Sequence, residues 1–236
     1  MRRREFVKSV GRMGGWGAGA RLLAHYPPIR LSANPSLLIP MDEAQSDHLK
    51  AYGIAYRVIQ AGAKVEWLLN YRGGAFLLPD AQTIRRDAAL NGVTVEPVDD
   101  ARVSAIRGDL AGTNADAIPL EKAPKVAVYV PPNAQPWDDA VTMALQYAGI
   151  PFEKLWDPEV LGNGLQGYDW LHLHHEDFTG QYSKFFLIYA GQPWVAEMSR
   201  FNDAARRRFG FANVPEMKKA VARTIREYVS NGGFLF

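Results

Sequence analysis

Apolar positions along the chain switch repeatedly between the unbroken runs of buried strands and the three-to-four spacing of helices. Leu37-Leu38-Ile39-Pro40-Met41 is a short apolar run and predicts a strand. From about His48 to Ala61, Leu49, Tyr52, Tyr56 and Ile59 share one helical face, with Asp47 as cap and Gly62 as stop. Lys64 to Leu69 predicts the next strand, and a strand-helix-strand unit of this kind implies a parallel pair with a right-handed crossover. Asn70-Tyr71-Arg72-Gly73-Gly74 follows that strand's end. Ala75 to Leu78 is a second apolar run, stopped by Pro79-Asp80. Thr83 to Asn91 predicts a helix ended by Gly92, and Val93 to Glu96 a strand. Residues 109–124 are polar and carry Gly, Asn and Pro, the composition of a linker.

The second half repeats the rhythm. Val126 to Val130 is a buried strand ended by Pro131-Pro132. Pro136 starts a helix with Asp138 and Asp139 in its first turn, where the helix dipole favours acids, and Gly149 closes it. Phe152 to Trp156 is a strand, Asp157-Pro158-Glu159 opens a short helix, and Asp169 to His174 is a further strand. Helices are expected over Trp194–Phe209 and Pro215–Ser230, the second capped by Asn213 with Glu216 three residues on. Gly232-Gly233 leads into a strand at Phe234-Leu235-Phe236.

This alternation predicts an α/β protein, doubly wound with mainly parallel sheets, in two α/β halves at residues 34–121 and 122–236. A parallel strand normally runs on into a loop and a covering helix, so a sequence stopping at Phe236 is expected to be truncated at its carboxyl end.

Charge changes the picture at the amino terminus. Residues 1–33 hold seven of the 27 basic groups and one of the 25 acids, which leaves the remainder at 20 against 24, a net of −4. A mildly acidic body gives no electrostatic case for nucleic acid. Arg3-Arg4-Glu5-Phe6-Val7-Lys8 resembles the twin-arginine export pattern Arg-Arg-x-Phe-Leu-Lys, with Val7 in place of Leu. Ser9 to Ala24 is too polar for a membrane span. A periplasmic or secreted protein is expected, the alternative being a basic leader on a cytoplasmic one. The absence of cysteine excludes disulfides, thiolate metal sites and a cysteine nucleophile within these residues.

Candidate chemistry concentrates at Tyr168 to Tyr182. Three of the five histidines, His172, His174 and His175, fall within four positions and are followed by Glu176 and Asp177. Strands of doubly wound sheets deliver reactive groups to their carboxyl edge. His174, His175 and Glu176 are therefore the candidate acid/base set, with Asp177 and Gln181 as ligand-binding residues. A histidine beside a carboxylate is held in one tautomer. A metal site on His172 and His174 is the alternative, although no histidine follows His175 to complete a ligand set. A third account makes His172 a hydrogen-bonded core residue. Asn70, Arg72, Gly73 and Gly74 form a second candidate: glycine amides and a guanidinium suit an anion, and an ordinary tight turn is the competing account. There is no phosphate-loop signature, and no cofactor or resident metal is expected. A small-molecule substrate is the expected partner; the oligomeric state is open.

The strand Lys125–Val130, the helix after Pro136, the strand Trp170–His174 and the helix-Gly-Gly-strand Ile225–Phe236 resemble a class I glutamine amidotransferase-like domain. The resemblance implies a flavodoxin-like fold and hydrolysis of an amide or acyl bond, with the nucleophile in the turn beyond Phe236. More closely, Lys64–Gly74, Gln135–Asp139 and Tyr168–Tyr182 resemble exported bacterial proteins labelled asparagine synthetase B-like, over most of residues 36–236. Glutamine-hydrolysing asparagine synthetases also carry an amino-terminal catalytic cysteine and a Ser-Gly-Gly-x-Asp-Ser loop. Neither occurs in this sequence, so the label implies the amidotransferase-like part alone.

Overall fold

The computed structural model of the protein describes residues 36–134, 139–173 and 188–236. The first sheet is built from β1 (Ser36–Ile39), β2 (Val65–Leu69), β3 (Ala75–Pro79), β4 (Glu96–Val98) and β5 (Asp116–Leu120), in the order β4-β1-β3-β2-β5. All four pairings are antiparallel. This corrects the expectation of mainly parallel sheets in both halves. The helix α1 (His48–Gln60) does carry the chain from β1 to a β2 of the same direction. The hairpin from β2 then returns β3 into the gap between them, with Leu68 opposite Ala75 and Leu38 opposite Leu77. With α2 (Gln82–Asn91) leading to β4 beyond β1, the result is the split βαββαβ arrangement of ferredoxin-like sheets, extended by β5.

β1 is buried on both faces, so alternation puts neighbouring residues into different cores. Leu37 and Ile39 pack with Ile54, Val58, Phe76 and Ile84 under α1 and α2. Leu38 packs with Leu68, Leu77, Ile106 and Leu110 under α3 (Asp100–Leu110). The expected linker is therefore structured: its first residues end α3, and Asp116–Leu120 pairs along the whole of β2. The fourth strand also starts three residues later than expected and ends two later, with Glu96 opposite Leu38.

The second sheet comprises β6 (Val126–Tyr129), β7 (Phe152–Leu155), β8 (Trp170–Leu173) and β9 (Phe234–Leu235), all parallel, in the order β7-β6-β8-β9. One face packs Val126, Val128 and Phe152 against Leu145 of α4 (Ala140–Ala148). The other packs Ala127, Tyr129 and Leu171 against α5 (Asp157–Leu161), α6 (Pro193–Arg208) and α7 (Val214–Ser230). Met217, Val221 and Ile225 form the buried stripe of α7, and Asn213 caps it by accepting from the Glu216 N–H at 2.9 Å. No helix among the described residues is long and apolar enough to cross a membrane.

Candidate functional site

Parallel α/β sheets bind ligands beyond the carboxyl ends of their strands, where the strand order reverses. Here the chain steps one way from β6 to β7 and the other way to β8, so that point lies between β6 and β8. His172 of β8 stands beside Val128 of β6 and shares its face, toward α4. The residue is only 6% exposed. Its Nε2 lies 2.9 Å from Asp139 Oδ2, and Asp139 Oδ1 accepts from the Val141 N–H at 2.9 Å as the cap of α4. One carboxylate thus holds both the helix end and the imidazole. An ionised carboxylate only accepts, so a neutral ring paired with it through Nε2 carries its proton there and keeps its lone pair on Nδ1. Nδ1 is buried and has no hydrogen-bond partner among the described residues. The ring stacks on Phe236 with centroids 5.9 Å apart.

The loop after β6 contributes Asn133. Its amide donates to the Trp194 carbonyl at 3.4 Å and to Glu197 Oε2 at 3.5 Å, both on the first turns of α6. Its Oδ1 is a second buried acceptor without a partner among the described residues. Buried polar atoms are nearly always satisfied, so groups beyond the described residues complete the bonding of these two acceptors near the strand-order switch.

The opposite face of the same strand ends is braced rather than open. Tyr129 donates to Asp157 Oδ1 at 2.6 Å, and Lys218 Nζ lies 2.8 Å from Asp157 Oδ2 and donates to the Tyr129 hydroxyl at 3.1 Å. The Lys218 ammonium also sits 3.9 Å from the centre of the Trp156 ring. None of the four residues is more than 3% exposed, so the group ties β6, α5 and α7 together and offers no surface to a substrate.

His174, His175, Glu176, Asp177 and Gln181 lie outside the described residues. Asn70, Arg72, Gly73 and Gly74 form the β2–β3 hairpin. Asn70 donates its side-chain amide to the Asn114 carbonyl at 2.5 Å. The Arg72 guanidinium is gripped on both sides, Nε by Asp42 at 2.7 Å and Nη1 by Glu96 at 2.7 and 2.8 Å. Hydrogen bonds to Asp42 and then Glu96 push the Arg72 pKa up, and the same contact holds Asp42 below its ordinary value. Met41 N–H donates to the Arg72 carbonyl, and Trp67 Nε1 to that of Gly74. These bonds stay within the antiparallel half, and Arg72 spends its fork on them.

At the amino edge of the parallel sheet, a cleft of about 490 Å³ is lined by Asn163, Gln166, Tyr168, Asp169, Glu227 and Tyr228, among others. Asp169 is committed there: Lys122 Nζ reaches it at 2.5 Å and the Lys125 N–H at 2.9 Å, and the Lys122 bond above all lowers its pKa. Burial raises both tyrosine hydroxyls. Among the described residues no three His, Asp or Glu side chains are grouped so as to hold a metal ion.

The sequence alone places Asp139 in a helix's first turn and does not mark Asn133, Glu197 or Lys218. A capping acid ahead of α4 was the available signal; its pairing with a strand residue 33 positions away requires the sheet. Compared with protein-family models, curated proteins and solved structures, the chain matches none.

Proposed function

We propose that the parallel half is a flavodoxin-like, class I glutamine amidotransferase-like unit that binds a small amide- or acyl-bearing ligand at the carboxyl edge between β6 and β8 and supports its hydrolysis. The observation that carries the reading is the Asp139–His172 pair at the strand-order switch, with Nδ1 an acceptor that has no partner among the described residues. In this reading Nδ1 takes the proton of the attacking group and returns it to the leaving nitrogen, while Asp139 holds the ring and stabilises its cationic form. His174, His175 and Glu176, which follow β8 directly in sequence, are the proposed acid/base partners, with Asp177 and Gln181 for ligand binding. β9 runs parallel to β8, and the Phe236 carbonyl accepts from the Leu173 N–H at 2.8 Å. A nucleophile following Phe236 would therefore enter the same edge. A leader resembling the twin-arginine signal supports export as part of the proposal.

The test is ammonia release from glutamine, asparagine and simple amides by protein whose chain continues past Phe236. His172→Gln is expected to lower turnover by about a hundredfold or more, the usual scale of general acid–base catalysis. Asp139→Asn keeps a good helix cap and is expected to lose at least about tenfold through the charge alone. No ammonia above the rate without protein, or turnover indifferent to both substitutions, would end the hydrolase reading. A second reading, a binding module without chemistry, draws on the same acceptors at His172 and Asn133, unpartnered among the described residues. It predicts saturable amide binding, lost in His172→Gln, with no turnover.

A further inference from the structure

Helix α4 is attached at both ends to side chains of distant elements. At its amino end Asp139 holds His172 of the parallel sheet. At its carboxyl end it lies on α1 of the antiparallel half, unusually closely: a Cβ at Gly53 would overlap the Ala148 carbonyl oxygen, so only glycine permits the approach. Arg57 Nη1 donates to that same carbonyl at 3.1 Å, while its Nε and Nη2 are held by Asp87 of α2. A cation on the last carbonyls of a helix also complements its dipole. One residue earlier, the Tyr147 hydroxyl donates to Asp47 Oδ2 at 2.5 Å, and Asp47 Oδ1 is the cap of α1. The Lys50 ammonium lies 4.3 Å from the centre of the Tyr147 ring. α4 has only nine residues, about 14 Å at 1.5 Å per residue, with no proline or glycine inside it to absorb a displacement.

We propose that α1 of the antiparallel half positions the His172 imidazole through α4, with Gly53, Arg57 and Tyr147 as positioning residues for a site they do not touch. The inference deepens the reading of the Asp139–His172 pair as the working part of the site, and its test does not depend on amide hydrolysis. A shift of α4 along its axis moves Asp139 relative to β8, because β8 is fixed independently by its ladders to β6 and β9. The bond that selects the Nε2–H tautomer then lengthens or breaks. A ligand or partner that moved α1 would reach His172 by the same route.

The experiment is nitrogen-15 NMR of the histidine side chains in the full chain, with His172 assigned by its loss in His172→Gln. The wild-type ring is expected in the Nε2–H tautomer with a slowly exchanging ring proton. Gly53→Ala forces the helices apart; Tyr147→Phe and Arg57→Gln loosen the same seam without a clash and serve if Gly53→Ala does not fold. In a folded variant, exchange of the His172 ring proton is expected to speed up by at least about fivefold, the low end of couplings between linked sites. The tautomer signature should move toward that of Asp139→Asn. Leu90→Ala, on the exposed side of α2, is expected to change neither. Variants that weaken the seam yet leave the His172 signals as in wild type, or a Leu90→Ala effect of equal size, would overturn the proposal. Absence of amidase activity would leave the coupling intact and remove only the hydrolase reading.

Discussion

Lys218 is 1% exposed and Asp157 is fully buried, and each is the other's counter-ion. Removing one member of such a pair leaves a charge in an apolar core. Lys218→Met is expected to destabilise the fold by about 3–5 kcal/mol. Adding Asp157→Asn should recover most of that loss, since no net charge is then buried and the amide can still accept from Tyr129. Chemical denaturation of the two variants against wild type measures both effects; a double variant no better than the single one would show that the ion pair itself matters. Nothing in the sequence marked Lys218 for burial. It sits beside the stripe Met217, Val221 and Ile225, where a lysine is expected to reach solvent. Burial follows from the arrival of Asp157, 61 positions earlier in the chain, above the same end of β6.

Among elements, the local signals were legible. Asp47, Asp99, Asp139 and Asn213 all cap helices by accepting from a backbone N–H two or three residues on. A cap is written within four residues of sequence, which is why Asp47 and Asn213 could be anticipated, whereas Asp139 was expected inside its helix and α3 with its cap Asp99 was not expected. The β2–β3 hairpin was visible as a turn, though not as the device that fills the gap between β1 and β2. Gly73 holds φ +76°, and a Cβ there would overlap the Met41 carbonyl. Gly73→Ala is expected to cost at least about 2 kcal/mol, combining left-handed strain with a backbone collision. Gly108 lies exposed within α3 with nothing near a Cβ, and Gly108→Ala is expected to add about 0.5–1 kcal/mol of stability. Thermal melts of the two variants should move in opposite directions.

For the molecule as a whole, pH dependence follows from carboxylates that hold it together. Asp42 and Asp169 have pKa values lowered from 3.8, each by hydrogen bonds to a basic side chain first of all. For Asp47 burial acts upward, but the Tyr147 hydroxyl and the Lys50 amide outweigh it and the pKa is again lowered. A group whose folded pKa is depressed stabilises the fold fully above its unfolded value and loses that contribution as pH falls through the folded one. Tm is therefore expected to be insensitive to these groups above about pH 5 and to drop below about pH 4. Asp47 links the two halves, so Tyr147→Phe should flatten part of that drop. An acid limb unchanged in Tyr147→Phe would assign it to other carboxylates.

The sequence by itself determined where most strands and helices form, because these depend on periodicity and on bonds between near neighbours; α3 and β5 it did not mark, and Leu49 and Tyr52, placed on the apolar face of α1 by spacing, are exposed. It also marked β8 as the strand that bears the candidate residue His172. Only the tertiary structure decided the antiparallel order of the first sheet, since alternating strands and helices fit both a simple and a split βαβ unit. It likewise paired His172 with Asp139, occupied Arg72 with two carboxylates, buried Lys218 and seated α4 on Gly53. Each of these joins residues 24 or more positions apart, and nothing in a local pattern records which distant group will arrive at a given face.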